Sequence, residues 1–355
     1  MGRPVTPARW PRADAGAERL LVIDPRAGRH ESARVRDLAA ALVPGDVLVL
    51  NDAATLPASL HGTTARGDAV EVRLVTRRGD GAWTALLFGR GDWRTRTEDR
   101  PPPPPIAPGD ELRFHGLACR VASVSGPSGR IAVVRFEPRA PGDDAAFWSA
   151  LYRAGRPVQY AYVERDLALW HVQTAYAGRP WAAEMPSAGR PLGWSLLLGL
   201  ARRGVRLAHV THAAGLSSSG DPAIDALLPM AERYDVPPAT ASAIREARAG
   251  GGRIVAVGTT VVRALEGAAA NGGGTLAAGE GETTLLIGPG FRPRVVDALF
   301  TGIHDATASH FALLQAFAPR PILEAAYATA ERDGFLGHEF GDSTLILPGA
   351  LGDPL

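Results

Sequence analysis

The sequence predicts an α/β protein in which a mainly parallel sheet domain is interrupted by an inserted antiparallel β-barrel. Short apolar, β-branched runs alternate with helical patterns in both flanking parts of the chain, which is typical of a parallel sheet covered by helices. Between 58 and 142 the pattern changes to short alternating segments separated by Gly, Pro and Asp. The 355 residues, 46% of them hydrophobic, suffice for two cores. We therefore predict an α/β domain over 1–57 and 143–355 and a barrel over 58–142.

The first α/β elements are two strands around a short helix. LLVID at 20–24 predicts a strand, and the pattern at 33–42 predicts a helix that ends before a Pro-Gly turn. The apolar run at 47–50 then predicts a second buried strand, with Asn51 and Asp52 at its C-terminal end.

The barrel prediction rests on four alternating segments. They are AVEVRLVTR, GAWTALLFG, DELRFHGLACRVASVS and GRIAVVRFE. The proline run at 100–105 cannot join a central strand, so we interpret it as an exposed extended connection rather than as a docking motif.

Strands and helices alternate again after 143. Helices are predicted near 143–154, 192–203, 239–249, 307–318 and 321–333. Strands are predicted at 206–212 and 254–257 and in TTLLIG, VVDALFTGI and STLIL.

The composition excludes several kinds of protein and site. A single cysteine, Cys119, excludes an intrachain disulfide and any multi-cysteine metal site, and we interpret it as a small buried hydrophobe. No run of about 18 apolar residues is present, and the N-terminal segment lacks the apolar stretch of a signal peptide, so we expect a cytoplasmic protein. The formal net charge of +1 neither requires nor excludes a nucleic acid partner.

The stretch RIVAVGTTVVRALEG at 253–267 combines a strand, a corner and the start of a helix. Gly258 permits a tight corner, and Thr259 or Thr260 can cap the helix or present hydroxyl and backbone N–H groups to an anion. Arg263, one turn into the helix, could reach back to a bound carboxylate. A capped crossover without a ligand is the alternative interpretation.

Two other strand ends carry histidines. His304 follows VVDALFTGI at the edge where open α/β sheets bind ligands, although it could instead cap its own loop. HVTHAAGLSSSGDP holds His209 and His212 on a strand, followed by a loop of small residues around Gly215 that suits a planar or phosphate group or is a surface loop. The odd spacing places these two histidines on opposite faces, so we predict no metal site there.

Two acidic residues are candidates for acid or base chemistry. Glu232 lies in MAERYDVP and Asp342 in HEFGDSTLIL, although a lone acid is more often a solvated residue or a turn cap. No Gly-x-Gly-x-x-Gly loop follows a predicted strand, and neither a Walker lysine nor a Gly-x-Ser-x-Gly elbow is present. The sequence therefore disfavours nicotinamide, nucleoside triphosphate and serine hydrolase enzymes.

Five segments along nearly the whole chain carry a family resemblance. They are PGDVLVLND with LPASLHG, YVERDLALWHVQTAYAGRPWAAEMPSAGRPL, VPPATASAIREARAGGGRIVAVGTTVVRALEG, GPGFRPRVVDALFTGIH and FGDSTLIL. In this order and at roughly this spacing they resemble the S-adenosylmethionine:tRNA ribosyltransferase-isomerase (QueA) family of queuosine biosynthesis. VAVGTTVVRALE and VVDALFTGIH are the most specific parts.

The resemblance implies an α/β domain interrupted by a β-barrel, and S-adenosylmethionine as a ribosyl donor without a metal. In that family the amine of a deazaguanine base at the tRNA wobble position receives the ribosyl unit. The ring rearranges to an epoxy-cyclopentane, and adenine and methionine leave. This chemistry needs a base for a proton next to the sulfonium, an acid for adenine, and hydrogen-bonding groups for the ribose.

The resemblance also groups the candidate site residues. We expect the corner of Gly258, Thr259 and Thr260, together with Arg263, to hold a polar end of S-adenosylmethionine. The candidate acids and bases are His304, Glu232, Asp342 and His212. The remaining candidates for substrate binding are Asn51, Asp52, Ser187, Gly189 and Gly215.

Several polar positions differ from the family pattern. NDAA replaces Asn-Asn-Thr-Arg, MPSAGRPL replaces Ala-Pro-Thr-Ala-Gly-Leu-His-Phe, and DATAS replaces Leu-Pro-Glu-Ser-Thr after His304. Three functions therefore stay open: the tRNA modification, another S-adenosylmethionine reaction on a small-molecule acceptor, and a non-catalytic binding protein.

Overall fold

The structure, a computed structural model, describes residues 5–126, 128–136, 144–216, 219–226, 230–306 and 309–349. The strands are β1 (Arg19–Asp24), β2 (Arg29–Arg34), β3 (Val47–Asn51), β4 (Ala53–Thr55), β5 (Ser59–Thr64), β6 (Ala69–Arg77), β7 (Trp83–Phe88), β8 (Glu111–Phe114), β9 (Leu117–Ser125), β10 (Ile131–Phe136), β11 (Arg179–Ala182), β12 (Arg206–His212), β13 (Glu232–Val236), β14 (Ile254–Val257), β15 (Gly279–Thr283), β16 (Ala298–Gly302) and β17 (Ser343–Ile346). The α-helices are α1 (Asp144–Ala154), α2 (Trp194–Arg202), α3 (Pro222–Asp225), α4 (Pro238–Ala249), α5 (Thr259–Asn271), α6 (Ser309–Leu314) and α7 (Arg320–Arg332). Short 3₁₀ helices lie at Ala15–Ala17, Val35–Ala40, Thr97–Asp99, Leu169–Val172 and Ser187–Gly189.

The large sheet is mixed, with its parallel strands in the centre. Its nine described strands follow the order β15-β13-β12-β3-β14-β16-β17-β1-β2. β12, β3, β14 and β16 are parallel neighbours, whereas β13 and β17 run antiparallel to them on either side. The carboxyl ends of the four central strands and the amino ends of β13 and β17 therefore meet at one edge of the sheet, which we call the site edge.

The two faces of the central strands bury different residues because side chains alternate along a strand. Val47 and Val49 of β3 pack in a core with α4, α5 and α7, whereas Leu48 and Leu50 pack with α2 in another. α5 is apolar on most sides, and ten of its thirteen residues are buried. This packing holds the N-terminus of α5 firmly at the site edge.

The second large unit is a closed antiparallel barrel in the order β10-β7-β6-β5-β8-β9. The prediction of an α/β fold with an inserted β-barrel is confirmed, although the described strands of the large sheet form as many antiparallel as parallel pairs. The predicted domain limit at 142–143 lies outside the described residues, so the division into 1–57 with 143–355 and 58–142 remains a proposal.

Some predicted elements differ from the structure. The segment at 33–42 ends β2 and then forms a 3₁₀ helix over Val35–Ala40, in which only Val35 and Leu38 are buried. The prediction of a strand in TTLLIG was wrong, because β15 ends at Thr283, the first residue of that segment. The sequence did not predict β13 and β15. Their sequences, ERYDV and GEGET, are polar or rich in glycine and lack the alternation of apolar and polar residues that indicates a strand. The helix predicted near 307–318 starts outside the described residues.

Candidate active site

The strand ends bring most of the predicted residues to the site edge. Asn51 ends β3 and His212 ends β12, while Glu232 begins the antiparallel β13. Gly258 follows β14, and His304 lies two residues beyond the end of β16. The sheet topology therefore gathers side chains that lie up to 253 residues apart in the sequence, from Asn51 to His304.

Asn51 fixes the backbone of His212. Its Oδ1 accepts a hydrogen bond from the His212 N–H at 3.0 Å, and its Nδ2 donates to the His212 carbonyl at 3.1 Å. The same Nδ2 lies 3.3 Å from Oγ1 of Thr260, so one buried amide links β3, β12 and α5. These partners favour a structural role for Asn51 beneath the site.

Three buried side chains form the centre of the site. Oε2 of Glu232 accepts a hydrogen bond from Nε of Arg263 at 2.6 Å and lies 3.3 Å from Nε2 of His212. The side chain of His212 is fully buried, and those of Glu232 and Arg263 are 12% and 11% exposed. Burial by itself would raise the pKa of Glu232, but His212 and Arg263 outweigh it and bring this pKa to about 2. Glu232 is therefore a fixed carboxylate anion at neutral pH.

This centre retains polar atoms without protein partners. Within the described residues, Nη2 of Arg263 and Nδ1 of His212 are buried and make no hydrogen bond, whereas Nε2 of His212 has the 3.3 Å contact with Oε2 of Glu232. Buried donors without partners are costly, and such atoms in native proteins call for a ligand or water. The centre can therefore accept further polar groups.

His304 stacks on a second histidine, His310 of α6. Their ring centroids lie 5.1 Å apart with an interplanar angle of 10°. Nε2 of His304 lies 2.8 Å from Oγ1 of Thr301. Burial, and then the charge of His310, lower the pKa of His304 well below its usual value, so this imidazole is neutral at pH 7. Burial followed by Arg263 likewise lowers the pKa of His310.

A second group with a shifted pKa, the carboxyl of Glu339, follows His338 in the loop after α7. Burial, and then the charge of Glu184, raise the pKa of Glu339 to about 8, while a hydrogen bond from Tyr162 opposes the rise. The neighbouring His338 contacts Tyr162 with ring centroids 4.6 Å apart, and its charge contributes to the lowered pKa of His304. His338 is also the one described residue other than glycine with a left-handed backbone, φ 66°. Such conformations cost about 1–3 kcal/mol and cluster at functional sites.

The corner after β14 presents backbone N–H groups. Gly258 has φ 90°, a conformation that glycine adopts without strain, and it is itself the N-cap of α5. The alternative that Thr259 or Thr260 caps the helix was wrong, since α5 has no side-chain cap. The amides of Thr259 and Thr260 donate to no described residue, so they remain available to an anion.

Asp52 lies away from this centre. Its Oδ1 accepts a hydrogen bond from Thr211 Oγ1 at 2.6 Å, and its Oδ2 lies 3.7 Å from His209. The side chain of His209 is 53% exposed whereas that of His212 is fully buried, which confirms that they face opposite sides of β12. The structure therefore does not bring Asp52 together with Glu232.

Asp342 has anchoring contacts. Its buried carboxylate accepts hydrogen bonds from Nη1 of Arg12 at 2.5 Å and from the backbone N–H groups of Arg19 and Leu336 at 2.8 Å each. These bonds tie three segments to the start of β17. They favour a structural role, and a role as acid or base remains only a prediction from the sequence.

The small residues allow close approaches around the centre. A Cβ on Gly258 would lie 3.3 Å from Cβ of Ala188, which places the turn Ser187–Gly189 against the corner. A Cβ on Gly189 would come within 2.0 Å of the Tyr176 hydroxyl, so a larger residue there would displace the Tyr176 side chain. Gly215 faces Glu232, since its Cβ would lie 3.8 Å from Oε1 of that residue.

A pocket of about 360 Å³ of empty volume, open to solvent, lies between the barrel and the large sheet, and Glu232 forms part of its wall. It is lined by Val75, Thr76, Leu86, Ala213, Gly215, Leu216, Met230, Ala231 and Glu232. Residues of both units therefore line one open recess beside the fixed carboxylate.

Sequence reasoning missed His310 and Glu339. His310 follows His304 by six residues, and no motif spacing indicates that its ring lies on that of His304. Glu339 stands three residues before Asp342 in a loop, where only the fold shows that it lies near Glu184 and Tyr162.

No group of three or more His, Cys, Asp or Glu residues in the described ranges could hold a metal ion. Within the same ranges, no helix is long and apolar enough to cross a membrane.

Comparisons with known proteins agree with this architecture. A family model described as "Queuosine biosynthesis protein" matches residues 5–346. The S-adenosylmethionine:tRNA ribosyltransferase-isomerase of Gloeobacter violaceus is 36% identical over 351 residues, which cover 97% of this chain and 93% of that protein. The enzyme of the same name from Thermus thermophilus is 38% identical over 322 residues, 88% of each chain. The crystal structure of S-adenosylmethionine tRNA ribosyltransferase from Thermotoga maritima is similar with a TM-score of 0.52 and 27% identity, over 96% of both chains. The chain therefore belongs to the queuosine biosynthesis protein family.

Proposed function

We propose that the chain transfers the ribosyl unit of S-adenosylmethionine to the aminomethyl-deazaguanine base of tRNA and isomerises it. Relatives that bear the corresponding name match the chain along nearly its whole length, through both the sheet and the barrel. S-adenosylmethionine is then a substrate, and tRNA is the acceptor and the macromolecular partner.

The observation that carries this proposal is the fixed carboxylate of Glu232 at the wall of the pocket. A sulfonium is a permanent cation, and a buried anion within a few ångströms stabilises it strongly because the protein interior screens charge weakly. The low pKa of Glu232 makes it a poor base. We therefore assign it the binding of the sulfonium rather than proton transfer.

The corner at the start of α5 supports the binding of the methionine carboxylate. The unpaired amides of Thr259 and Thr260 and the positive end of the helix dipole favour an anion there. The free Nη2 of Arg263 provides a charge-assisted donor one turn further on. The same arginine thus orients Glu232 through Nε and the ligand through Nη2.

Two groups with oppositely shifted pKa values suit the proton transfers. The neutral imidazole of His304 can accept the proton from the carbon next to the sulfonium. Glu339, whose pKa of about 8 keeps it protonated at pH 7, can donate a proton to the departing adenine. The new bond joins the ribosyl carbon to the acceptor amine, and adenine and methionine leave.

The direct test incubates the purified protein with S-adenosylmethionine, with and without tRNA that carries the aminomethyl-deazaguanine base. We expect adenine and methionine to appear together with the epoxy-cyclopentane mass on tRNA. Thr259→Pro, which removes one of the two amides at a helix position that tolerates proline, and Arg263→Ala should each weaken the binding of S-adenosylmethionine by roughly tenfold or more, since a hydrogen bond to a charged group contributes about 1.5–3 kcal/mol. Arg320→Ala, in an exposed pair with Glu324, is the matched control.

The products distinguish the tRNA modification from a reaction on a small-molecule acceptor and from a non-catalytic binding protein. Adenine release without any change in tRNA would replace the tRNA acceptor by a small molecule or water. Binding of S-adenosylmethionine without adenine release would show a binding protein. Unchanged affinity in both site variants would leave the corner with a structural role only.

A further inference from the structure

An exposed tryptophan, Trp170, lies at the end of a row of aromatic and guanidinium groups that contact one another. Trp170 is 76% exposed, and its ring centroid lies 5.5 Å from that of His171. His171 in turn contacts Trp10, with centroids 4.9 Å apart, and the guanidinium of Arg165 lies 4.1 Å over the Trp10 ring. The site already described uses none of these groups.

A second stack of the same kind lies on the neighbouring barrel loop. The Arg94 guanidinium lies 4.6 Å over the ring of Trp93, whose Nε1 donates a hydrogen bond to Asp166 at 2.8 Å. Asp166 directly follows Arg165 in the sequence, so the two stacks flank one short segment. We refer to Trp10, Trp93, Arg94, Arg165 and Trp170 as the aromatic–arginine surface.

This surface is rigidly attached to the site edge. The amide of Gln173, three residues after Trp170, bonds the Thr55 backbone N–H and C=O at 3.0 and 2.9 Å. Thr55 ends β4, which follows Asn51 closely in the sequence. Trp10 also packs on the small core that contains Phe340, next to Glu339. The surface is therefore tied both to β4 and to the loop that carries Glu339.

We propose that the aromatic–arginine surface binds unpaired bases and phosphates of the tRNA anticodon loop, an inference that rests on the proposed function. Unstacked bases of single-stranded RNA are recognised by stacking on aromatic rings and guanidinium planes. Trp170 offers such a face to solvent. Arg94 and Arg165 are 59% and 64% exposed, which leaves N–H groups for phosphates despite their contacts with Asp92, Asp166 and Glu164.

The test measures binding of an anticodon stem-loop RNA, and turnover of tRNA, by Trp170→Ala. We expect its RNA affinity to fall about tenfold, since base–aromatic stacking contributes that order of binding, while its affinity for S-adenosylmethionine stays unchanged. Trp170→Phe should retain most of the binding. Trp194→Ala, which removes a tryptophan that is 53% exposed on α2, is the matched control.

Salt dependence tests the arginines separately. Replacing Arg94 or Arg165 by Ala should reduce the slope of log affinity against log salt by roughly 0.7 for each phosphate that the arginine neutralises. If the wild type modifies tRNA but Trp170→Ala and both arginine variants bind RNA as the wild type does, this inference fails and the proposed function stands. If the wild type releases adenine yet binds no stem-loop, both fail.

Discussion

Besides burial, the charge of His310 lowers the pKa of His304, because the two imidazole rings are stacked. Parallel rings at 5.1 Å make no hydrogen bond to each other, so they interact through stacking and through charge. The charges of Arg263 and Glu232 also act on His310. The charge of His338 also acts on His304. A positive charge on His310 therefore disfavours a second charge on His304.

Removing His310 should move the pH dependence of the reaction in a defined direction. His310→Phe keeps a stacking ring but removes the charge, so the pKa of His304 should rise and the acidic limb of kcat/KM should move to higher pH. His310→Gln should move the limb likewise and lower the plateau by up to about tenfold, because an aromatic pair contributes about 0.5–1.5 kcal/mol. His209→Gln, on the opposite face of β12, should leave the profile unchanged. An unmoved limb in both His310 variants would show that His304 is not the base.

Among the elements, the barrel carries an unusual buried charge network. The carboxylate of Glu71 accepts hydrogen bonds from Nε of Arg73 at 2.7 Å, Nη1 of Arg100 at 2.6 Å and Oγ of Ser59 at 2.7 Å. Burial would raise the pKa of Glu71, but Arg73 and Arg100 outweigh it and bring the pKa to about 2. Removing one partner of such a network leaves an uncompensated buried charge.

We expect Glu71→Gln to lower the free energy of unfolding by about 3–5 kcal/mol. Because the folded pKa is depressed, the stabilisation by Glu71 is full above the unfolded pKa near 4.5 and is lost as the pH falls towards 2. The variant should therefore lose stability less steeply over this range than the wild type in denaturant titrations. Glu111→Gln, which breaks an exposed pair with Arg113, should leave the denaturation curve nearly unchanged because solvent screens such a pair. Equal curves for wild type and Glu71→Gln would contradict this account.

The elements also show how far the sequence alone can predict this site. The buried strands β3 and β14 are apolar and β-branched, so their ends at Asn51 and Gly258 were predictable. The edge strand β15 and its neighbour β13 carry polar residues and glycine, because strands near the edge of a sheet bury less of their surface. The pairing of Glu232 with Arg263 and His212 depends on which strands are neighbours, and periodicity contains no information on strand order.

At the scale of the whole molecule, the pocket depends on two units at once. Thr76 and Leu86 come from barrel strands, whereas Glu232 and Gly215 come from the large sheet and the loop after β12. A Cβ on Gly215 would lie 3.6 Å from Val75, so the two units leave room for little more than a glycine there. The insertion of the barrel into the α/β chain thus places a wall opposite the site edge.

A large side chain on the barrel wall should then block a ligand that is held by the sheet. Thr76→Trp fills the pocket beside Glu232, and we expect the affinity for S-adenosylmethionine to fall about tenfold or more, because pocket ligands bury most of their surface. Thr76 is only partly buried in β6, so the melting temperature should change little. Ala122→Trp, at an exposed position of β9, adds the same side chain elsewhere on the barrel and should bind the ligand normally. Calorimetric titration of the folded variants with S-adenosylmethionine measures these affinities. Undiminished binding by Thr76→Trp would place the ligand wholly on the sheet, and the barrel would then serve the tRNA alone.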